Sequence, residues 1–417
     1  MTTRETKREA KREAKRERWV SASLIVGALF AGLAAMAATR QETPAVPAPP
    51  ALPAPPAPSK PEAQVAKPEA EVAKPEAQAT RPRVDLVFAL DTTGSMSGLI
   101  EGAKAKIWSI ASFVARAQPT PDVRVGLVAY RDIGDAYVTR VFDLDDDLDR
   151  VYRRLLSFRA DGGGDGPEHV ARALHEAVHD MSWSPHANNS VRLIYLVGDA
   201  PPHLDYRDGY DYVKAARAAA TKGIQIHAIR CGSDEETATI WRRIASLGHG
   251  EFLTINQDGG MHERRTPYDV ELARLHDELS DTVVAYGGAK GAATRAAVEA
   301  ANDAPVSVKA ARAGFLSAKK EKMDGDLVGG VASGRVDLAK VPAAELPASI
   351  AALPLEERRA KLATDAKDRD ALLDRISKLS SDRDKFLESD PAGKASGFDG
   401  EVEKTVRKAG AAVGLAF

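Results

Sequence analysis

Cysteine is almost absent. Cys231 is the only one in 417 residues, which excludes an intrachain disulfide and a cysteine-built metal cluster. It ends the apolar run Ile224-Gln225-Ile226-His227-Ala228-Ile229-Arg230 and reads as a small core residue rather than a reactive thiol. An excess of charge is missing too: a formal net charge of −2 offers no broadly basic surface, so nucleic acid is not an expected partner. No Ser/His/Asp or Cys/His set can be assembled along the chain, which favours binding over catalysis, and the protein is not expected to be an enzyme. Apolar residues, by contrast, make up 44% of the sequence. That is ample for a full core, and the length suggests two or three units.

The organisation is legible from composition. Residues 1–19 carry eight Lys/Arg and four Glu in a near-repeat, a soluble basic segment expected on the cytoplasmic side. Residues 20–38 then run without a charge, about long enough to cross ~30 Å of hydrocarbon, with Trp19 at the interface. Ala35-Met36-Ala37-Ala38 offers a cleavage site, but the segment is long for a signal core and is read as an uncleaved anchor. Residues 39–83 are rich in Pro and Ala, with Lys-Pro-Glu-Ala recurring at Lys60, Lys67 and Lys74. Proline at this density supports neither helix nor ladder, so an extended, disordered spacer reaching roughly 100 Å is expected.

The most informative stretch follows. Val84-Asp85-Leu86-Val87-Phe88-Ala89-Leu90 is a buried-strand run, and Asp91, Thr93 and Ser95 come at alternate positions directly after it. A strand delivering a carboxylate and two hydroxyls to a tight turn makes an oxygen-lined cup of the kind a hard divalent cation takes. Two later segments match this design. Asp161-Gly162-Gly163-Gly164-Asp165-Gly166-Pro167-Glu168 opens a helix, and Val191-Arg192-Leu193-Ile194-Tyr195-Leu196-Val197-Gly198-Asp199 is a second buried strand ending on Asp. Loops at the carboxyl ends of parallel strands converge in an open α/β sheet, so Asp91, Thr93, Ser95, Asp165 and Asp199 are the candidate ligands of Mg²⁺, or of Ca²⁺ or Mn²⁺. Between them helical and strand periodicities alternate, predicting a doubly wound, mostly parallel sheet flanked by helices, with an α-helical C-terminal region.

With Arg124-Val125-Gly126-Leu127-Val128-Ala129-Tyr130-Arg131-Asp132 as a second strand, residues 84–256 resemble a von Willebrand factor type A domain with its metal-ion-dependent adhesion site. The resemblance implies a Rossmann-like sheet with six helices around it. It also implies Thr93 and Ser95 as direct ligands, Asp91 acting through water, and Asp199 as the third-loop acid. The usual second-loop ligand is a threonine; here Asp165 stands in its place, as in a branch of the family. Three carboxylates around one ion leave it a weaker electrophile, which puts capture of a partner's acidic side chain in doubt.

Two rival motifs carry less. His175-Glu176-Ala177-Val178-His179 matches the zinc-protease pattern His-Glu-x-x-His, but the same helix buries Val170, Leu174, Ala177 and Met181, and no third ligand follows at a suitable spacing. A haloacid dehalogenase-type phosphatase also ends a strand on Asp, yet needs a second Asp where Thr93 stands. His169 and His203 are expected at the rim, His203 being the better functional candidate.

The type A domain with its last helix is assigned to 84–287 and the helical C-terminal region to 288–417. Residues 269–286 predict a helix stopped by Gly287, and 355–388 a long charged helix with a patchy apolar stripe, read as a self-closing hairpin or as a coiled-coil, oligomerising or partner-docking helix. The tail is similar only to those of uncharacterised bacterial type A proteins. The whole is expected to be a single-pass bacterial inner-membrane protein whose folded part, in the periplasm or outside the cell, binds an unknown protein or envelope component as an adhesion or scaffold module. The alternative is a regulatory subunit of an envelope enzyme complex. A reporter active only after export, fused after Arg83, is expected to score positive; a cytoplasmic result removes the adhesion reading.

Overall fold

The computed structural model describes residues 81–164, 166–260, 264–319, 325–389 and 397–417. The basic segment, the span expected at 20–38 and the spacer up to residue 80 lie outside the described residues. Within those described, no helix is long and apolar enough to cross a membrane.

Six strands form one sheet in the order β3-β2-β1-β4-β5-β6: β1 Arg83–Asp91, β2 Asp122–Tyr130, β3 Thr139–Asp145, β4 Ser190–Gly198, β5 Gln225–Cys231 and β6 His249–Ile255. β3 pairs antiparallel with β2, and every other pairing is parallel. The central strands β1 and β4 are buried almost end to end, as a strand covered on both faces must be, which is why their sequences read as unbroken apolar runs. Because the chain steps outward from β1 in both directions, β1 and β4 flank the switch point of the sheet, where a doubly wound fold opens a crevice.

The pleat sends Val87 and Ala89 to one face and Leu86, Phe88 and Leu90 to the other. The first face is covered by three helices interleaved with the strands: α3 Val170–His179, α4 Tyr212–Thr221 and α5 Glu235–Leu247. Asp211 and Asp234 cap α4 and α5, accepting from Val213 N at 2.7 Å and Thr237 N at 2.6 Å.

The opposite face is built from further apart in the chain. α1 Ser97–Ala115 and α2 Leu148–Leu156 pack there with α6 Asp269–Asp281, and so do helices of the C-terminal region. α8 Val306–Lys319 supplies Phe315, which meets Trp108 edge-on at 5.5 Å. From α12 Phe398–Ala411, Phe398 reaches Phe88 at 5.8 Å and Thr405 bonds the Tyr195 hydroxyl at 2.8 Å. Ala416 exchanges backbone hydrogen bonds with Gln118 at 2.8 and 2.9 Å. The helices after residue 288 are thus distinct in sequence but share the core of this sheet.

Two expectations are corrected. The helix predicted over 269–286 ends at Asp281, because Val284 leaves it to bond Asp326 Oδ1 and Leu327 N, and Tyr286 joins a satellite cluster. That cluster gathers α9 Leu327–Ala332, α10 Ala348–Ala351 and Leu362; α7 Ala289–Asn302 lies between the two regions in sequence. The long helix α11 Leu355–Ser389 is one continuous element and does not close on itself as a hairpin. It straps back on the domain by arginine and aspartate pairs: Arg369 to Asp326 at 2.5 Å, Arg383 to Asp269 at 2.7 Å and Arg116 to Asp384 at 2.9 Å. Ile376 and Leu362 enter the two cores, with Leu372, Leu373 and Leu379 packed alongside, so the charge pairs add to a narrow apolar stripe.

A buried polar joint ties three of these helices. Arg312 of α8 forks onto Asp149 of α2 at 2.7 and 2.6 Å and donates to His276 Nε2 of α6 at 2.9 Å. His276 Nδ1 faces Asp277 at 3.0 Å, so the ring is the neutral Nδ1–H tautomer. Burial, and then the Arg312 charge, push His276 down to about 4. Since the folded value lies below that of the unfolded chain, this group's stability is present above about pH 6.5 and is lost as pH falls towards 4. Urea unfolding should show the wild type losing up to about 3 kcal/mol relative to His276→Gln between pH 7 and 4. A pH-independent difference would remove His276 from the account.

Candidate metal centre

β1 delivers Asp91 fully buried to the end of the sheet, beside the β4 terminus. The chain then turns because Thr92 is pinned to the neighbouring strand, its N and Oγ1 both donating to Tyr130 O at 2.9 and 3.0 Å. Thr93 folds back over the carboxylate, its N and Oγ1 donating to Asp91 Oδ1 at 2.8 and 2.6 Å. Thr93 Oγ1 lies 3.4 Å from Ser95 Oγ, and Ser95 is exposed. The cup is therefore a buried carboxylate under two adjacent hydroxyls, the outer one open to solvent.

Across the crevice β4 ends at Gly198, and Asp199 is half-buried with Oδ2 accepting from Gln257 Nε2 at 2.5 Å. Gly198 is dictated by close approach. A Cβ there would stand 2.4 Å from Tyr130 Oη and 2.9 Å from Asp91 Cβ. Burial pushes Asp91 up to about 7, with the Asp199 charge adding to it against the two hydrogen bonds from Thr93.

The middle loop, unlike the other two, follows a helix rather than a strand. It runs between α2 and α3, and is brought in by Asp161 N to Thr92 O at 3.1 Å, Gly94 N to Gly162 O at 3.3 Å and Gly163 N to Asp135 Oδ2 at 3.2 Å. Asp165, the ligand expected from this loop, lies outside the described residues. α3 begins at Val170 rather than near Pro167, because Glu168 bridges to Pro202 of the third loop.

The geometry thus joins Asp91, Thr93 and Ser95 in one turn and sets Asp199 opposite. It also brings in Tyr130, Asp132, Asp135, Glu168 and Gln257, which the motif reading passes over. Their signal was faint: Asp132 and Glu168 stand inside quoted phrases, but nothing in the spacing says that they face the cup. Asp132 is buried, takes the Tyr206 hydroxyl at 2.5 Å and lies 3.5 Å from His203 Nε2. His203 also pairs with Asp205 at 3.0 Å. His169 is buried, not at the rim, and meets Asp208 at 2.6 Å. In the protease-like motif the His175 and His179 rings stack at 4.4 Å, while buried Glu176 accepts from Arg172 Nε at 2.7 Å, an ordinary helix-face pair.

The donor set suits a hard cation. The candidate ligands Asp91, Thr93, Ser95 and Asp199 all offer oxygen, and Asp91 Oδ2 is buried with no hydrogen-bond partner among the described residues. Among those residues no group of three His, Cys, Asp or Glu side chains is gathered closely enough to hold a metal unaided, so the Thr93 and Ser95 hydroxyls would have to serve as ligands. Arg131 is no internal counter-ion for Asp91: its guanidinium bonds Thr92 O at 3.1 Å and Arg159 O at 2.7 Å.

A family model described as the von Willebrand factor A domain matches residues 85–246, which carry the first five strands and the acids and hydroxyls of the cup. Residues 85–246 form a von Willebrand factor A domain. Among curated proteins, the alpha-protein kinase vwkA of Dictyostelium discoideum is 33% identical over 122 residues, 29% of this chain and 19% of that protein. The chain therefore spans about a fifth of that relative. Among solved structures, the SpRpn10 VWA domain is 13% identical with a TM-score of 0.33, covering 43% of this chain and 91% of that one. An aerotolerance-related membrane protein from Bacteroides fragilis is 18% identical with a TM-score of 0.29, covering 42% and 92%.

The close approach at Gly198 tests the packing of the von Willebrand factor A crevice. Gly198→Ala is expected to destabilise the fold by about 1–3 kcal/mol, because Tyr130 and Asp91 must give way. Chemical unfolding checks this; a change below about 0.5 kcal/mol would mean that the crevice yields freely.

Proposed function

We propose that this chain is a membrane-tethered, extracytoplasmic protein-binding module, an adhesion or scaffold protein without chemistry of its own, whose von Willebrand factor A domain holds a divalent cation at the carboxyl ends of β1 and β4. The observation that carries the metal reading is the buried, unpartnered Oδ2 of Asp91 beneath the paired hydroxyls of Thr93 and Ser95. Thr93 and Ser95 would bind Mg²⁺, Ca²⁺ or Mn²⁺ directly, Asp91 and Asp199 would anchor its water shell, and Asp165 would complete the set. The charge-free span at 20–38 and the proline-rich spacer support tethering at a distance from a membrane. Neither the regulatory-subunit reading nor the phosphatase gains an observation. The second Asp that such a phosphatase needs is absent, Thr93 standing in its place.

A cation bound only by the folded state stabilises it by ~2.7 kcal/mol at a hundredfold excess over its dissociation constant. Mg²⁺ or Ca²⁺ should raise the melting temperature of the detergent-solubilised full chain, and Asp91→Ala should abolish that rise while leaving the protein folded. Identical responses of wild type and variant to metal and chelator would defeat the metal reading. Proteins retained by the full chain from an envelope extract in Mg²⁺ and released by chelator would be the partners.

A further inference from the structure

We propose that Glu168 is a carboxylate of the cation's shell, a role that the strand-end motif does not assign to it; the inference rests on the metal reading above. Glu168 is placed by backbone rather than by chance. Its N donates to Pro201 O at 2.9 Å and its O accepts from His203 N at 3.2 Å, which clamps it against the loop that begins at Asp199. Its side chain turns inward, with 2% of the residue exposed. The link to the cup is Gly163, where a Cβ would lie 3.1 Å from Thr93 Cβ and 3.5 Å from Glu168 Oε1. One glycine therefore separates the carboxylate from the proposed ligand Thr93, and only glycine keeps that passage open.

Oε2 of Glu168 is buried, and no donor among the described residues meets it. A carboxylate in that state is costly unless something positive or a donor completes it. The charges that act on it come from further acids, Asp91, Asp132, Asp135 and Asp199. A cation above Thr93 and Ser95 would supply the positive charge that the unmet oxygens of Glu168 and Asp91 lack, reached by Glu168 directly or through one bound water.

The rival is a neutral carboxyl group that merely fills space, and the two differ in what replacement does. Glu168→Gln keeps shape and hydrogen-bonding capacity without the charge, and Glu168→Met keeps the length without polarity. Both are expected to fold, with melting temperatures in chelator equal to or above the wild type's, since each removes a buried acid. In calorimetric titration of the full chain with Mg²⁺ alone, each is expected to bind 10- to 100-fold more weakly, the usual scale for a group supporting a metal shell. Wild-type affinity in either folded variant, with binding still lost in Asp91→Ala, overturns the assignment of Glu168 and leaves the metal site standing. No Mg²⁺ binding by the wild type itself overturns both.

Discussion

The crevice turns on a repulsion. Asp91, Asp132 and Glu168 each bury a carboxylate oxygen that no donor among the described residues meets, and Asp199 faces them from the next strand. Burial and the neighbouring acids push Glu168 up to about 9. Proteins seldom bury acids in this way without a cation or a proton to complete them. The surrounding architecture is what prevents relief by movement, because each of these acids is fixed by the backbone of a buried strand or clamped loop.

That fixation begins far from the crevice. The first face of the sheet is closed by helices that alternate with strands, so it is local. The second is closed by α1, α2 and α6 together with residues more than 200 positions beyond β1, Phe315, Ile376, Phe398 and Val402 all lying in one core with Phe88. The Tyr195–Thr405 bond and the Ala416–Gln118 pairing hold the chain terminus against the middle of the sheet and the end of α1. Burial of Phe398 alone is of the size that costs about 3–5 kcal/mol when truncated. The C-terminal helices are therefore structural partners of β1 and β4, and any slackening of them reaches the strand ends that present the acids.

Sequence patterns made the central sheet and the first and third loops legible for a physical reason. A strand buried on both faces must be apolar throughout, so the position where polarity returns, at Asp91 and at Asp199, marks its end. The middle loop was harder, since it follows a helix and reaches the crevice through backbone hydrogen bonds that leave no composition signal. Glu168 was hidden for the same reason: Pro167-Glu168 reads as a helix start, while the bridge to Pro202 that turns the side chain inward is a tertiary pairing. In α11 the apolar stripe is narrow and arginines share the contacts with it, and a charge run cannot show whether its partners lie on the same chain.

These features bear on how a partner would be held. An ion that bridges Thr93 and Ser95 while offsetting Asp91, Asp199 and Glu168 would have most of its charge already opposed, and would retain little pull on one more acidic side chain. Its main effect would be mechanical. It would cross-link the loop after β1, the loop before α3 and the loop after β4, three segments that otherwise meet through a few backbone hydrogen bonds and a glycine passage. A rim made rigid in this way loses less conformational entropy when a partner docks. On the proposed reading, metal dependence of binding would then come from the shape of the rim, with the partner held by the loops themselves rather than by the ion.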